Sequence, residues 1–192
     1  MDGIFGSLIK LFKKPREQEP ICRPKKVEIK TEPDEPVILG WQMTWFAFKN
    51  VRLESITGII GITELQPANW SSGVVAADNY PSKMVFISPP LDGWTLVSGV
   101  CLPMFSEPKR KREIGKTILK KISKECDEAQ YFAMWSKIMY YAWAKARNGE
   151  IIRHVEYFDD FINQGELTPE EKEEMRRRQM KLLQIIEKNK SK

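Results

Sequence analysis

The chain has 192 residues, a length that suits one globular domain with an appendage rather than two full domains. Its composition, 42% hydrophobic, 10% aromatic and 30% charged, supplies a real core and excludes a wholly disordered protein. The balance of 31 Lys and Arg against 26 Asp and Glu, +5, is modest and does not by itself imply nucleic acid.

No run approaches the roughly 18 to 20 consecutive apolar residues of a membrane-spanning helix. Cys22, Cys101 and Cys126 form an odd set without a CxxC pair, so neither a disulfide framework nor a zinc knuckle is written here. A reducing cytoplasm is the expected compartment.

Residues 1–14 place Ile4, Phe5, Leu8, Ile9, Leu11 and Phe12 on one helical face, with Lys10, Lys13 and Lys14 adding positive charge. This predicts a short amphipathic helix, for which Phe5, Leu8, Phe12, Lys13 and Lys14 are candidate membrane or partner contacts. A membrane role would be weak and peripheral, at the inner face; docking on the domain or fraying are the plainer readings. The apolar stretch precedes Lys13 and Lys14, the reverse of a secretory signal, which argues against export.

Residues 15–36 mix five prolines with charges and read as a stiff, solvated linker. A single domain is expected over residues 37–188. VILGWQMTWFAFKN, from Val37, alternates Trp41, Met43, Trp45 and Ala47 with Gln42, Thr44, Phe46 and Phe48, as in a strand with one or both faces buried. Asn50 then caps a short helix that Gly61 ends.

Residues 66–83, rich in turn formers, read as a loop around Trp70, followed by strands over residues 84–88 and 93–102 joined through PPLDG as a hairpin. A basic loop leads to a helix with Ile114, Ile118, Leu119 and Ile122 on one side and Lys116, Lys120, Lys121 and Lys124 on the other. AQYFAMW and the hairpin YYAWAKARNGEIIRHVEYF supply three more strands, with Asn148 and Gly149 as the turn. Thr168, Pro169 and Glu171 have the pattern of an N-cap, a first-turn proline and a capping-box partner, opening a charged helix to about Lys188 with a stripe of Met175, Leu182, Leu183 and Ile186. The order predicts an α+β fold, a largely antiparallel sheet of five to six strands with packed helices.

Catalytic material is thin. His154, the only histidine, sits within a predicted strand; Cys101, between Val100 and Leu102, reads as a buried, inert thiol. Asp159 and Asp160 at a strand end have the makings of a metal pair, although adjacent acids on a loop are more often solvated. An enzyme of unrecognised type would have to rest on Cys101, His154, Asp159 and Asp160; no catalytic residue, metal or cofactor is favoured.

Lys109, Arg110, Lys111 and Arg112 are candidate partner contacts, with no interleaved aromatics of the kind that mark nucleic-acid binding; a solvated loop and helix face is the plainer reading. Of six tryptophans, Trp41, Trp45, Trp94, Trp135 and Trp143 fall on predicted strands and most should be core. Trp70 is the candidate partner anchor if its loop exposes it and a packing pin if it does not, with the pin slightly favoured.

The segments PANWSSG, VFISPPLDGWTLVSG, EAQYF and YYAWAKARNGEIIRHVEYF resemble an uncharacterised bacterial protein family. In type, the chain is similar to the immunity proteins encoded beside polymorphic toxins. That resemblance implies a cytoplasmic, non-enzymatic protein that neutralises a protein partner; it names no site residues.

Overall fold

The computed structural model describes residues 26–40, 42–105, 109–158 and 161–190, and of residues 109–113 and 182–190 the backbone alone. The N-terminal segment with Phe5, Leu8, Phe12, Lys13 and Lys14 lies outside the described residues, as do Trp41, Asp159 and Asp160.

The fold is α+β, with a largely antiparallel sheet. Among the described residues seven strands occur, one more than the upper expectation: β1 (Gln42–Lys49), β2 (Phe86–Ile87), β3 (Trp94–Gly99), β4 (Glu128–Trp135), β5 (Tyr140–Arg147), β6 (Glu150–Tyr157) and β7 (Phe161–Gly165). They form one sheet in the order β2-β3-β1-β4-β5-β6-β7, so β1 joins a short hairpin to a four-stranded meander. The helices are α1 (Leu53–Ile60), α2 (Trp70–Ala77), α3 (Lys109–Ile122) and α4 (Pro169–Lys190).

Both turn dipeptides act as their residue types require. Asn148 and Gly149 have φ of 51° and 84°, and Asp92 and Gly93 have 49° and 81°, the left-handed pairs of tight hairpins. Leu91 and Trp94 bridge directly across the second turn.

One face of the sheet carries the main core. Phe46, Phe48, Val97, Tyr131 and Tyr140 point there with Ala129, Ala133, Ala142, Ala144 and Ala146, against Ile56 of α1 and Ile118, Leu119 and Ile122 of α3. Five alanines on β4 and β5 leave the depth that α3 and the inserted Phe105 fill, because a close-packed interior matches small residues with large ones. The Phe105 ring stacks on Tyr131 at 3.9 Å, and its backbone N–H donates to the Tyr140 hydroxyl at 3.0 Å.

Among the described residues the other face is covered by α2 at one end and by the start of α4 beside Arg153. Trp70, Val74 and Ala77 meet Met43 and Phe86, with Val37 and Leu39 packed alongside. This helix replaces the expected loop around Trp70. Asn69 accepts from the Ser72 N–H at its N-terminus, and the Asp34 carboxylate takes the N–H groups of Trp70 and Ser71. Residues 26–40, read as linker up to Pro36, have no regular structure, yet Lys30 accepts from Asn69 N–H through its carbonyl and donates to Ser72 through its N–H.

Three further boundaries differ. Helix α1 starts at Leu53 behind Arg52, while Asn50 takes a positive φ and its side chain donates to Asp127. Strand β3 ends at Gly99, before Cys101. Helix α3 begins at Lys109, so Lys109, Arg110, Lys111 and Arg112 lie in its opening turns rather than in a loop; their side chains are outside the described residues. The capping box at α4 forms as expected: Thr168 N–H donates to Glu171, and Glu171 N–H to the Thr168 hydroxyl. Among the described residues no helix is long and apolar enough to cross a membrane.

Candidate functional site

Side chains alternate along a strand, so the face opposite α1 and α3 can be read row by row across the register. One row runs Trp45, Phe132, Trp143, Val155. The next runs Met43, Met134, Tyr141, Tyr157, Phe161. Helix α2 covers Met43, and exposure then rises toward β7: Tyr141 is 41% exposed, Tyr157 44% and Phe161 64%. Trp45 and Phe132 stack at 4.0 Å, and Trp143 donates its indole N–H to Gln130.

On the other side of the Trp45 row the face turns polar. Lys145 and Glu128 are both buried and meet at 3.0 Å, and Arg147 reaches the second carboxylate oxygen of Glu128. Burial pushes the Glu128 carboxyl up, but hydrogen bonds from Lys145, Gln130 and Arg147 outweigh it and hold the pKa below the ordinary value. Arg153, also buried, makes a bidentate pair with Glu171 and so fastens the start of α4 to β6. The hydrogen bonds from Arg153 hold the Glu171 carboxyl below its usual range. A cleft of about 690 Å³ opens between this polar edge and α4, with Trp94, Phe132, Trp143, Leu167 and Met175 among its walls.

Trp70, a candidate partner anchor with a packing pin the favoured reading, is 6% exposed and packs its ring 5.1 Å from Phe86 as a pin, on a helix rather than in a loop. Trp45, Trp94, Trp135 and Trp143, expected mostly in the core, are only partly buried. Trp45, Trp94 and Trp143 lie on the open face. What the residues alone left hidden was coverage. Period-two alternation shows which side chains share a face but not which stretch of that face a helix lies over.

The pairing of Cys101 with His154 loses its geometry. Cys101 follows β3 and His154 lies on β6, four strand spacings away in the sheet order, about 19 Å at 4.8 Å per step. Nucleophile and base need contact at about 3 Å. Cys101 is exposed rather than buried, because β3 ends before it; its thiol donates to the Met84 carbonyl, and partial desolvation pushes its pKa up. His154 is buried, with Nε2 bonded to Glu156 Oε2 at 2.9 Å. Among the described residues no group of three or more His, Cys, Asp or Glu is placed to hold a metal ion.

No family model, curated protein or solved structure matches the chain.

Proposed function

We propose that the chain is a non-enzymatic, cytoplasmic protein-binding module whose partner is another protein, seated on the aromatic rows of the open sheet face. The observation that carries this reading is the exposed run Tyr141, Tyr157 and Phe161 beside the half-buried Trp45, Phe132 and Trp143. Contiguous exposed aromatics of this kind mark interaction surfaces, and Tyr, Trp, Phe and Met are the residues that protein interface cores enrich.

The surrounding charges favour a protein over a phosphate-bearing surface. Lys145 and Arg147 are paired with Glu128, Arg153 with Glu171, and Arg178 with Glu174. Nucleic acid and anionic lipid both draw their affinity from unpaired cations. These cations are already satisfied and suit the polar rim of a protein interface. Within that reading, the resemblance to immunity proteins supplies the role: the partner is a toxin that this chain neutralises by covering its surface.

The test is capture of a partner from an extract of the native cell with the wild-type chain and with a Tyr141→Ala/Tyr157→Ala/Phe161→Ala variant. One stoichiometric protein should be retained by the first and lost by the second, and expressed alone it should be toxic unless the chain is supplied with it. Retention of the same partner by both would remove this face from the account, and a harmless partner would remove the immunity role.

A further inference from the structure

On the opposite face of the sheet, a cavity of about 470 Å³ lies between α3 and the edge formed by β6 and β7. Lys116, Thr117 and Lys120 line it from the helix, and His154, Glu150 and Gln164 from the strands. We propose that this cavity is a binding site for a small phosphomonoester, a dianion held by the two lysines with His154 in the cavity wall.

Three independent observations converge on it. Lys116 and Lys120 are one turn apart on α3, where like charges repel, and neither forms an ion pair with any described residue. An anion between them relieves that repulsion. The Lys116 ammonium lies 5.8 Å from the Phe105 ring centroid.

The second observation is His154 itself. The residue is 2% exposed, Glu156 occupies Nε2, and Nδ1 has no hydrogen-bond partner among the described residues. A carboxylate that takes one ring nitrogen fixes the imidazole plane and leaves the other nitrogen for a ligand. His154 lines the cavity, so a hydroxyl on the ligand's substituent can donate to Nδ1 while Nε2 stays with Glu156. The groups facing this ring are Glu156 and Glu150 on β6, Lys116 and Lys120 on α3, and the Phe105 edge at 5.3 Å.

The third is the backbone. A β-bulge between Lys145 and Ala146 breaks the alternation of β6, so Ile151 and His154, three apart, both face α3 and line the cavity. Gly165 of β7 lies against the displaced residue: its φ is +86°, and a Cβ there would come 2.1 Å from the Ile152 carbonyl oxygen. The cavity wall is therefore a specific local distortion of the sheet.

Charge and size set the ligand class. Two ammonium groups oppose the single carboxylate of Glu150, and Thr117 and Gln164 add neutral hydrogen-bond donors. A dianionic phosphate matches that set through charge-assisted hydrogen bonds from the two ammonium groups. The volume falls within the range of small-ligand sites and leaves room for a substituent beyond the phosphate.

His154 is the chain's one histidine, so its imidazole NMR signals report on this site alone. They should shift saturably with inorganic phosphate and with glucose 6-phosphate, at constant ionic strength kept with sodium chloride. Lys116→Gln/Lys120→Gln should weaken both by about tenfold or more. Lys120→Glu, at an exposed position, serves the same purpose should the double variant unfold. The open-face variant Tyr141→Ala/Tyr157→Ala/Phe161→Ala should bind phosphate normally, which separates this site from the proposed partner surface. A shift that follows ionic strength alone, or one unchanged in the lysine variants, overturns the proposal. So does binding seen only with phosphatidic-acid vesicles, which would make the source a membrane.

Discussion

Glu128 and Lys145 are a buried ion pair whose members depend on each other, since removing one leaves the other charge largely withdrawn from water without its partner. Glu128→Ala should therefore cost about 3–5 kcal/mol in denaturant unfolding, while the paired change Glu128→Gln/Lys145→Met should cost much less. The same residue gives a pH signature. The folded pKa values of Glu128 and Glu171 are lowered, so their contribution is complete above the ordinary Glu value of about 4.3 and is lost as pH falls through the lowered ones. Melting temperature should drop over that acid window in the wild type and less so in Glu128→Gln/Lys145→Met. Ser98 offers the opposite sign: its buried Oγ has no partner among the described residues, so Ser98→Ala should hold or raise stability, by up to about 1 kcal/mol. Residue types said little about any of these, because Glu128, Lys145 and Arg153 are ordinary surface residues by composition and become buried pairs only when β4, β5, β6 and α4 meet.

At the scale of elements, the strongly patterned segments were legible and the weakly patterned ones were not. The Asn148–Gly149 hairpin and the Thr168 capping box carry local chemistry that needs no tertiary help, and both form where the residues place them. Helix α2 was missed because WSSGVVAA has little helical patterning and sits among turn formers; its small residues serve close approach to the sheet. A Cβ at Gly73 would lie 2.3 Å from the Phe86 ring. Gly73→Ala should therefore destabilise the fold by about 1–3 kcal/mol despite its better helix propensity, whereas Gly58→Ala in α1, with nothing within 4 Å of the added methyl, should be neutral or stabilising. Strand β7 was missed for a related reason: FINQG is short, polar in part and bounded by Gly165, and only pairing with β6 makes it a strand.

For the whole molecule, the decisive asymmetry is in how the sheet is covered. Helices α1 and α3 pack one face, while among the described residues α2 shields the other near β2, β3 and β1 and the start of α4 shields it beside Arg153, leaving the row of Tyr141, Tyr157 and Phe161 open. A heterologous partner on that face predicts a chain that sediments as a monomer by itself and as a one-to-one complex once its partner is added. A stable homodimer that dissociates in Tyr157→Ala would instead make a second copy of the chain the occupant. The fold class was legible because alternating apolar runs and hairpin turns are local; the open face was not, because it depends on where α2 and α4 come to rest.

The most direct test of the binding account is an affinity measurement of the captured partner across single substitutions on and off the aromatic rows. Tyr157→Ala and Trp143→Ala should each raise Kd by about tenfold or more, the range of interface anchors. Leu65→Ala, at an exposed apolar position in the loop between α1 and α2, should leave Kd unchanged. Equal affinities for all three variants, with melting temperatures showing them folded, would contradict the assignment of the partner to this face.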